Sequence, residues 1–235
     1  MLDFVREALI TNKLMGAYLT RTQYQLVEII KQFILGDKML LLLFMKKMNK
    51  NDSYQYVAFL RGINVGGHMP IKMIDLKKAF ENMGFENVKT LLTSGNVIFE
   101  SEQTDKKALT AEIESLLKKA FEKDISVILR SMDYLKKLQS SEPFKGIKMA
   151  PNIRLYVTFL SEKALLHTIT IPSTLQKEFR ILHATPMEVF SVLDLSIGKG
   201  TPDAMKILEK EFGSNVTTRN WNTVLRVLKQ KYGQT

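Results

Sequence analysis

Cysteine is absent from this chain of 235 residues. The absence excludes disulfides, thiolate zinc sites and a cysteine nucleophile. It is typical of proteins in a reducing compartment, so we expect a cytoplasmic location. Covalent cross-links are not needed for stability, because a chain of this length buries roughly 70% of the surface that its unfolded form exposes.

The sequence also lacks a long hydrophobic run. The longest apolar stretch covers only residues 39–45, whereas a membrane-spanning helix needs about 20 apolar residues. The first seven residues contain no basic stretch leading into an apolar one, as a signal peptide would. We therefore expect no membrane association.

Groups typical of catalytic and metal sites are scarce. The three histidines, His68, His167 and His183, do not have metal-ligand spacing. His68 is interpreted as a surface turn residue, with acid–base chemistry as the alternative. The glycine spacing matches neither a dinucleotide-binding fingerprint nor a P-loop. The sequence thus predicts no metal and no cofactor, and it leaves open whether the protein is an enzyme.

Positive charge is in excess. The chain has 34 Lys and Arg against 24 Asp and Glu, which gives a net charge of +10. These charges are spread along the sequence rather than gathered in a polybasic arm. A basic surface favours anionic small molecules or nucleic acids as partners, and an ordinary solvated surface is the alternative interpretation.

Residues 1–52 differ in pattern from the rest. Apolar residues between positions 26 and 34 follow helical spacing, and Thr20 and Gln23 stand in capping-box spacing before them. Residues 46–52 form a polar linker. We interpret this region as a helical extension, or as upstream sequence translated from an early start with Met48 as the natural initiator.

From residue 53 onward, strand and helix patterns alternate in an order that occurs twice. In the first unit, residues 53–140, strands are predicted at 56–60, 88–92, 97–99 and 125–129, with helices at 74–83 and 106–122. In the second unit, residues 150–235, strands are predicted at 155–160, 179–183, 189–193 and 216–218, with helices at 162–168 and 202–212 and a last one from 221. The order β-α-β-β-α-β predicts an α+β fold of two tandem ferredoxin-like (split βαβ) subdomains.

This topology brings two polar loops of the first unit together. The loop after the first strand and the turn between the second and third strands emerge at the same end of the sheet. They contain the candidate ligand-binding residues Arg61, Asn64, Gly66, Gly67, Ser94 and Asn96. Such donors suit an anionic or amide-bearing ligand. The structural alternative is that the glycines supply positive φ and that the asparagines bond their own backbone.

A third polar cluster precedes the last helix and comprises Arg219, Asn220, Trp221 and Asn222. Arginine and asparagine can bind a carboxylate or a base, and tryptophan can stack on a ring. In the alternative interpretation Trp221 packs in the core, Thr218 or Asn220 caps the helix and Arg219 lies at the surface.

Three segments carry a family resemblance: YVAFLRGINVGG at 56–67, TSGNVIF at 93–99 and TRNWNTV at 218–224. Together they resemble the bacterial family catalogued as domain of unknown function 1697, over roughly residues 54–230. The resemblance implies two ferredoxin-like subdomains and no particular activity. Residues 1–47 fall outside it.

Three functional hypotheses follow. The first is a module that binds a small anionic or nucleotide-like ligand, or nucleic acid, through the converging loops. The second is an enzyme without metal or covalent nucleophile, in which Arg219 and Asn222 act electrostatically. The third is an adaptor that binds proteins through a sheet edge or the N-terminal helices. An RNA-recognition motif is not favoured, because Phe59 and Phe99 lie in apolar runs typical of a core.

Overall fold

The computed structural model describes residues 53–65, 70–161, 178–196, 201–212 and 216–230. Within the chain, Ser53–Thr235 forms one compact unit. The predictions for residues 1–52, for a helix at 162–168 and for Gly66, Gly67, His68 and His167 lie outside the described residues.

The first half contains a four-stranded antiparallel sheet. Its elements are β1 (Tyr54–Leu60), α1 (Met73–Asn82), β2 (Glu86–Leu91), β3 (Asn96–Ser101), α2 (Lys106–Phe121), β4 (Val127–Ser131) and α3 (Met132–Ser140). The strand order is β2-β3-β1-β4, which is the order of a ferredoxin-like unit.

The second half repeats this arrangement. Its elements are β5 (Ile153–Leu160), β6 (Phe179–Ala184), β7 (Glu188–Asp194), α4 (Thr201–Phe212), β8 (Val216–Asn220) and α5 (Trp221–Leu228). The strand order is β6-β7-β5-β8. The prediction of two tandem ferredoxin-like subdomains is therefore confirmed.

Some predicted boundaries were wrong. Strand β4 starts two residues later than predicted and continues through Arg130 and Ser131, because the Arg130 side chain is buried and the strand does not end at a surface charge. Leu92 belongs to the β2–β3 turn, where it has a φ of 58°. Asn96, predicted in that turn, begins β3.

Helix α3 was not predicted. It begins directly after β4, and the Ser131 hydroxyl caps it by accepting the Tyr134 N–H at 3.3 Å. Helix α5 stands at the matching place after β8, where the Asn220 side chain accepts the Asn222 N–H at 2.9 Å. Asn220 is thus the helix cap that the sequence offered as one interpretation. The two helices are in contact with each other.

The two sheets pack face to face. The first strands carry matching sequences, YVAFL at 56–60 and YVTFL at 156–160, so alternate residues occupy matching faces. Val57 and Phe59 face the second sheet, where they meet Val157 and Phe159. The rings of Phe59 and Phe159 stack with centroids 4.5 Å apart and planes 13° apart. Each aromatic ring buried in this way contributes strongly to holding the halves together.

The opposite faces of the sheets are covered by helices. Tyr56, Ala58 and Leu60 pack in a core with residues of α1 and α2, such as Leu76 and Leu109. The second sheet packs its outer face on α4 in the same way. Because β1 is buried on both faces, its sequence is a continuous apolar run rather than an alternating one. None of the helices in the described ranges is both long and apolar enough to cross a membrane.

Candidate functional site

The loop after β1 and the β2–β3 turn lie side by side, as the topology predicts. The Leu60 N–H donates to the Gly95 carbonyl at 2.8 Å, and the Asn64 amide donates to the Thr93 carbonyl at 2.9 Å. We call residues 61–65 and 92–96 together the loop end of the first sheet.

Asn64 fixes the shape of its loop. It has a φ of 56°, a conformation that asparagine tolerates better than most residues. Its Nδ2 also donates to the Ile71 carbonyl at 2.9 Å, and its Oδ1 accepts the Ile71 N–H at 2.7 Å. The Asn64 amide is therefore engaged with the backbone on both sides.

Gly95 is required by the close approach of the two loops. It has a φ of +73°, and a Cβ built on it would lie 2.6 Å from Cδ1 of Ile63. Any side chain at position 95 would separate the turn from the loop after β1 or displace Ile63 from the core.

The Arg219 guanidinium reaches this end from the second sheet. It projects from β8, is 8% exposed, and lies over the Phe59 ring at 5.6 Å. Its Nε donates to Asn96 Oδ1 at 2.7 Å. The other donors bond Thr217 Oγ1 and the carbonyls of Leu60, Ser94, Gly95 and Thr218. Burial lowers the pKa of Arg219 to about 10, so the group remains charged at neutral pH.

Asn96 completes this contact. Its side chain is fully buried, and Nδ2 donates to the Leu91 carbonyl at 2.8 Å and to Ser94 Oγ at 3.1 Å. Asn96 therefore holds the β2–β3 turn while its oxygen receives the arginine. In the described ranges, every acceptor that the Arg219 guanidinium bonds is a neutral oxygen.

The first half contains the equivalent arginine, on β4. Arg130 is opposite Val57 in the β1–β4 ladder, as Arg219 is opposite Val157 in the β5–β8 ladder. Its Nη2 crosses to the carbonyls of Leu160 and Met187 at 2.8 and 2.9 Å, the counterparts of Leu60 and Gly95. Each half thus inserts one arginine beside the turn between the second and third strands of the other half.

The partner of the Nε atom differs between the two halves. Arg130 Nε donates to the Glu188 carboxylate at 3.0 Å, and Glu188 occupies the position in β7 that Asn96 occupies in β3. The same carboxylate accepts the hydroxyls of Tyr134 at 2.7 Å and Thr185 at 3.0 Å. The buried charge of Arg130 is therefore neutralised, whereas Arg219 has no carboxylate partner among the residues that the structure describes.

Arg61 is the partly exposed cation of the loop end. Its side chain is 31% exposed, and Nη2 lies 3.5 Å from Glu209 Oε1, a carboxylate that is itself half exposed. Its Nε is buried and has no hydrogen-bond acceptor within the part of the chain that the structure describes. A contact of this length between exposed groups contributes little to stability.

Two residues of the loop end have exposed apolar side chains. Val65 is 61% exposed and Leu92 is 42% exposed. Leu92 also has a φ of 58°, and a left-handed conformation costs a residue other than glycine about 1 kcal/mol or more. Together with Thr93 and Ser94, these side chains form the accessible part of the loop end.

The third polar cluster does not lie together at one surface. Trp221 is 7% exposed, in the core between the sheets, where its ring contacts Phe144 and Phe190. Asn222 is exposed on α5. Of the ten candidate residues, the structure brings together Arg61, Asn64, Ser94, Asn96 and Arg219.

Sequence reasoning missed the burial of Arg219 and the roles of Arg130 and Glu188. The equivalence of the two arginines could have been found from the repeated order of strands and helices. Each arginine is the fourth residue of its strand and stands directly before the helix cap. In the described ranges no group of three or more histidine, aspartate or glutamate side chains is arranged to hold a metal ion.

Comparison with known proteins gives a family and a fold. The profile described as "Protein of unknown function (DUF1697)" matches residues 54–185. The chain belongs to this family. The match ends before the third resembling segment, at 218–224. No curated protein matches the sequence.

A solved structure has the same fold. It is the conserved bacterial protein SP0830 from Streptococcus pneumoniae, which is 21% identical, with a TM-score of 0.59. The alignment covers 75% of this chain and 98% of that one. At this identity the likeness concerns the fold alone.

Proposed function

We propose that the protein binds a small anionic ligand at the loop end of the first sheet. The observation that carries the proposal is the state of Arg61, a partly exposed guanidinium with a buried Nε that has no acceptor in the described chain. An arginine in this state is suited to bind a carboxylate or phosphate group, because its planar fork can donate two N–H bonds to the oxygens of such a group.

Ser94 supplies a second donor for the ligand. Its Oγ accepts Asn96 Nδ2 at 3.1 Å, which leaves the hydroxyl hydrogen free to point elsewhere. The side chain is half-buried in the turn beside the loop of Arg61. The exposed Val65 and Leu92 add apolar surface for the uncharged part of a ligand.

Binding is favoured over catalysis because the loop end has no pair of groups suited to acid–base work. In the described chain, the groups whose pKa is displaced most are Tyr134 and Arg219, and the hydroxyl of Tyr134 is bonded to Glu188 in the second half. Nucleic acid is the second candidate, favoured by the net charge of +10. Phe59 and Phe99 are fully buried, so these strand positions offer no stacking platform for bases.

The test is a thermal-shift scan of the full chain against small carboxylates, sugar phosphates and nucleotides, each paired with a neutral analogue. A ligand at a hundredfold its Kd stabilises the folded state by about 2.7 kcal/mol, or roughly 5–10 °C for a chain of this size. We expect an anion to raise Tm, and Arg61→Gln to abolish the rise. Arg180→Gln, which removes an exposed arginine from β6, is the matched control and should retain it.

Three results would contradict the proposal or redirect it. Stabilisation by the neutral analogue as strongly as by the anion would exclude charge recognition. Equal shifts in the wild type and Arg61→Gln would place the ligand elsewhere. A shift produced only by oligonucleotides, and falling steeply with salt, would assign the site to nucleic acid.

A further inference from the structure

The β2–β3 turn and the β6–β7 turn occupy equivalent positions in the two subdomains, but their surroundings differ in one charge. In the second half, Glu188 pairs its carboxylate with the buried Arg130 of β4. In the first half, Asn96 offers only a neutral amide to the buried Arg219 of β8. The other contacts of the two guanidinium groups correspond closely, since both donate to the carbonyl at the end of the facing first strand and to that of the turn next to it.

We infer that Asn96 is a specificity-determining residue of the ligand site. Because Asn96 is neutral, Arg219 has no carboxylate partner within the part of the chain that the structure describes. The positive charge beneath the loop end then selects a ligand bearing a carboxylate or phosphate group. The inference rests on the proposed function, and it identifies the source of its charge preference. Asn96 and Arg219 act on the ligand through the electric field of the arginine and need not touch it.

The charge lies close enough to act on a ligand. Arg219 Nη2 is 3.1 Å from the Ser94 carbonyl and 3.3 Å from the Gly95 carbonyl. A group bound by the Ser94 hydroxyl therefore lies within about 10 Å of the guanidinium. At an effective dielectric constant of about 20, one unit charge at that distance changes the affinity for a monovalent anion by on the order of tenfold.

The same charge explains which end of the molecule binds. At the turn of residues 185–188, the Glu188 carboxylate cancels Arg130 and also takes up the Tyr134 and Thr185 hydroxyls. That end therefore presents no net charge from its buried pair. Among the described residues, the loop end of the first sheet combines Arg219, which has no carboxylate partner, with Arg61, whose contact with the half-exposed Glu209 is 3.5 Å long.

Asn96→Asp tests the inference with a change of nearly identical shape, which places a carboxylate against Arg219 as in the second half. Gln103→Glu makes the same amide-to-carboxylate change at an exposed position after β3. It lies toward the opposite end of the first sheet, where Ser101 pairs with Tyr54, whereas Asn96 pairs with Phe59. Because both variants replace an amide by a carboxylate, they alter the net charge of the protein equally and differ only in where the negative charge lies.

The probe is inorganic phosphate, added at constant ionic strength to the full chain, with affinity measured from the chemical shifts of backbone amides. We expect Asn96→Asp to weaken phosphate binding about tenfold and Gln103→Glu to remain within about twofold of the wild type. Wild-type affinity in Asn96→Asp would overturn the inference while leaving the proposed function intact. Absence of phosphate binding at the loop end of the wild type would overturn both.

A second pair of variants covers the case in which Asn96→Asp does not fold. Arg219→Lys keeps the charge, Arg219→Gln removes it, and both lose the fork that bonds the carbonyls. The inference predicts that the lysine variant binds phosphate about tenfold more tightly than the glutamine variant. Equal affinities in the two would show that Arg219 acts only by holding the turn, and would overturn the inference.

Discussion

Arg130 and Arg219 occupy equivalent positions in the two sheets, and each donates to the carbonyl at the end of the first strand of the facing sheet, Leu160 or Leu60. This exchange joins the halves by buried polar contacts in addition to the apolar core between the sheets. Buried polar groups with complete hydrogen bonding specify one packing arrangement, because any other arrangement leaves them unpaired.

The two arginines should differ in their contribution to stability. Arg130→Met leaves the fully buried Glu188 carboxylate without its cation, which typically costs about 3–5 kcal/mol. Arg219→Met leaves only neutral acceptors, and the Gly95 carbonyl keeps its bond from the Leu60 N–H, so we expect a cost of about 1–3 kcal/mol. Urea unfolding of the two variants measures the difference.

The comparison is well matched. Both substitutions keep a long apolar stem, and both remove a guanidinium that lies over a phenylalanine ring, Phe159 at 5.3 Å or Phe59 at 5.6 Å. Equal losses in the two variants would mean that the Glu188 charge does not distinguish the halves. The electrostatic part of the account would then be wrong.

Gly95→Ala should destabilise the protein by about 2–4 kcal/mol, because it adds a clash with Ile63 to the strain of a positive φ. Gly84→Ala is the control, since Gly84 has a φ of +85° and nothing lies within 4 Å of the added Cβ. That variant should lose only about 1 kcal/mol. Chemical denaturation gives both values, and equal losses would show that the two loops are not in close contact.

Alkaline pH should weaken the Glu188 network through Tyr134. Burial, with the hydrogen bond to Glu188, raises the pKa of Tyr134 to about 12, above its unfolded value of about 10. The folded state thus holds this proton more tightly, so the contribution is complete below pH 10 and is lost as the pH rises toward 12.

Tyr134→Phe isolates this effect. At neutral pH the variant should be less stable by about 1–2 kcal/mol, because a hydrogen bond to a carboxylate is lost. The difference in unfolding free energy between the wild type and the variant should shrink above pH 10. A difference that stays constant to pH 12 would show that Tyr134 titrates as an exposed tyrosine.

The fold could be predicted from sequence because its signals are local. Apolar residues are buried or half-buried wherever they occur in the strands at 56–60 and 156–160 and on one face of the helix at 106–122. Burial in these segments can therefore be predicted from residue type and spacing alone. Helix α3 escaped prediction because it is short and follows its strand with no turn residue between them. Its Ser131 cap is also the last residue of β4.

The site could be predicted only in part. Topology placed Arg61 beside the β2–β3 turn, since both follow from strand order within one sheet. The burial of Arg219 depends on how one sheet packs on the other, and its partners Asn96 and Leu60 are 123 and 159 residues away in sequence. An arginine beside a helix cap is ordinarily a surface residue, so neither sequence interpretation of Arg219 included burial between the sheets.

Anion binding at the loop end is best tested by an amide chemical-shift titration of the full chain with inorganic phosphate. We expect saturable shifts in residues 61–65 and 92–96. We expect no shifts at the equivalent turn of residues 185–188, where Glu188 neutralises Arg130. Shifts centred on residues 185–188, or weak shifts spread over surface lysines without saturation, would contradict the proposal.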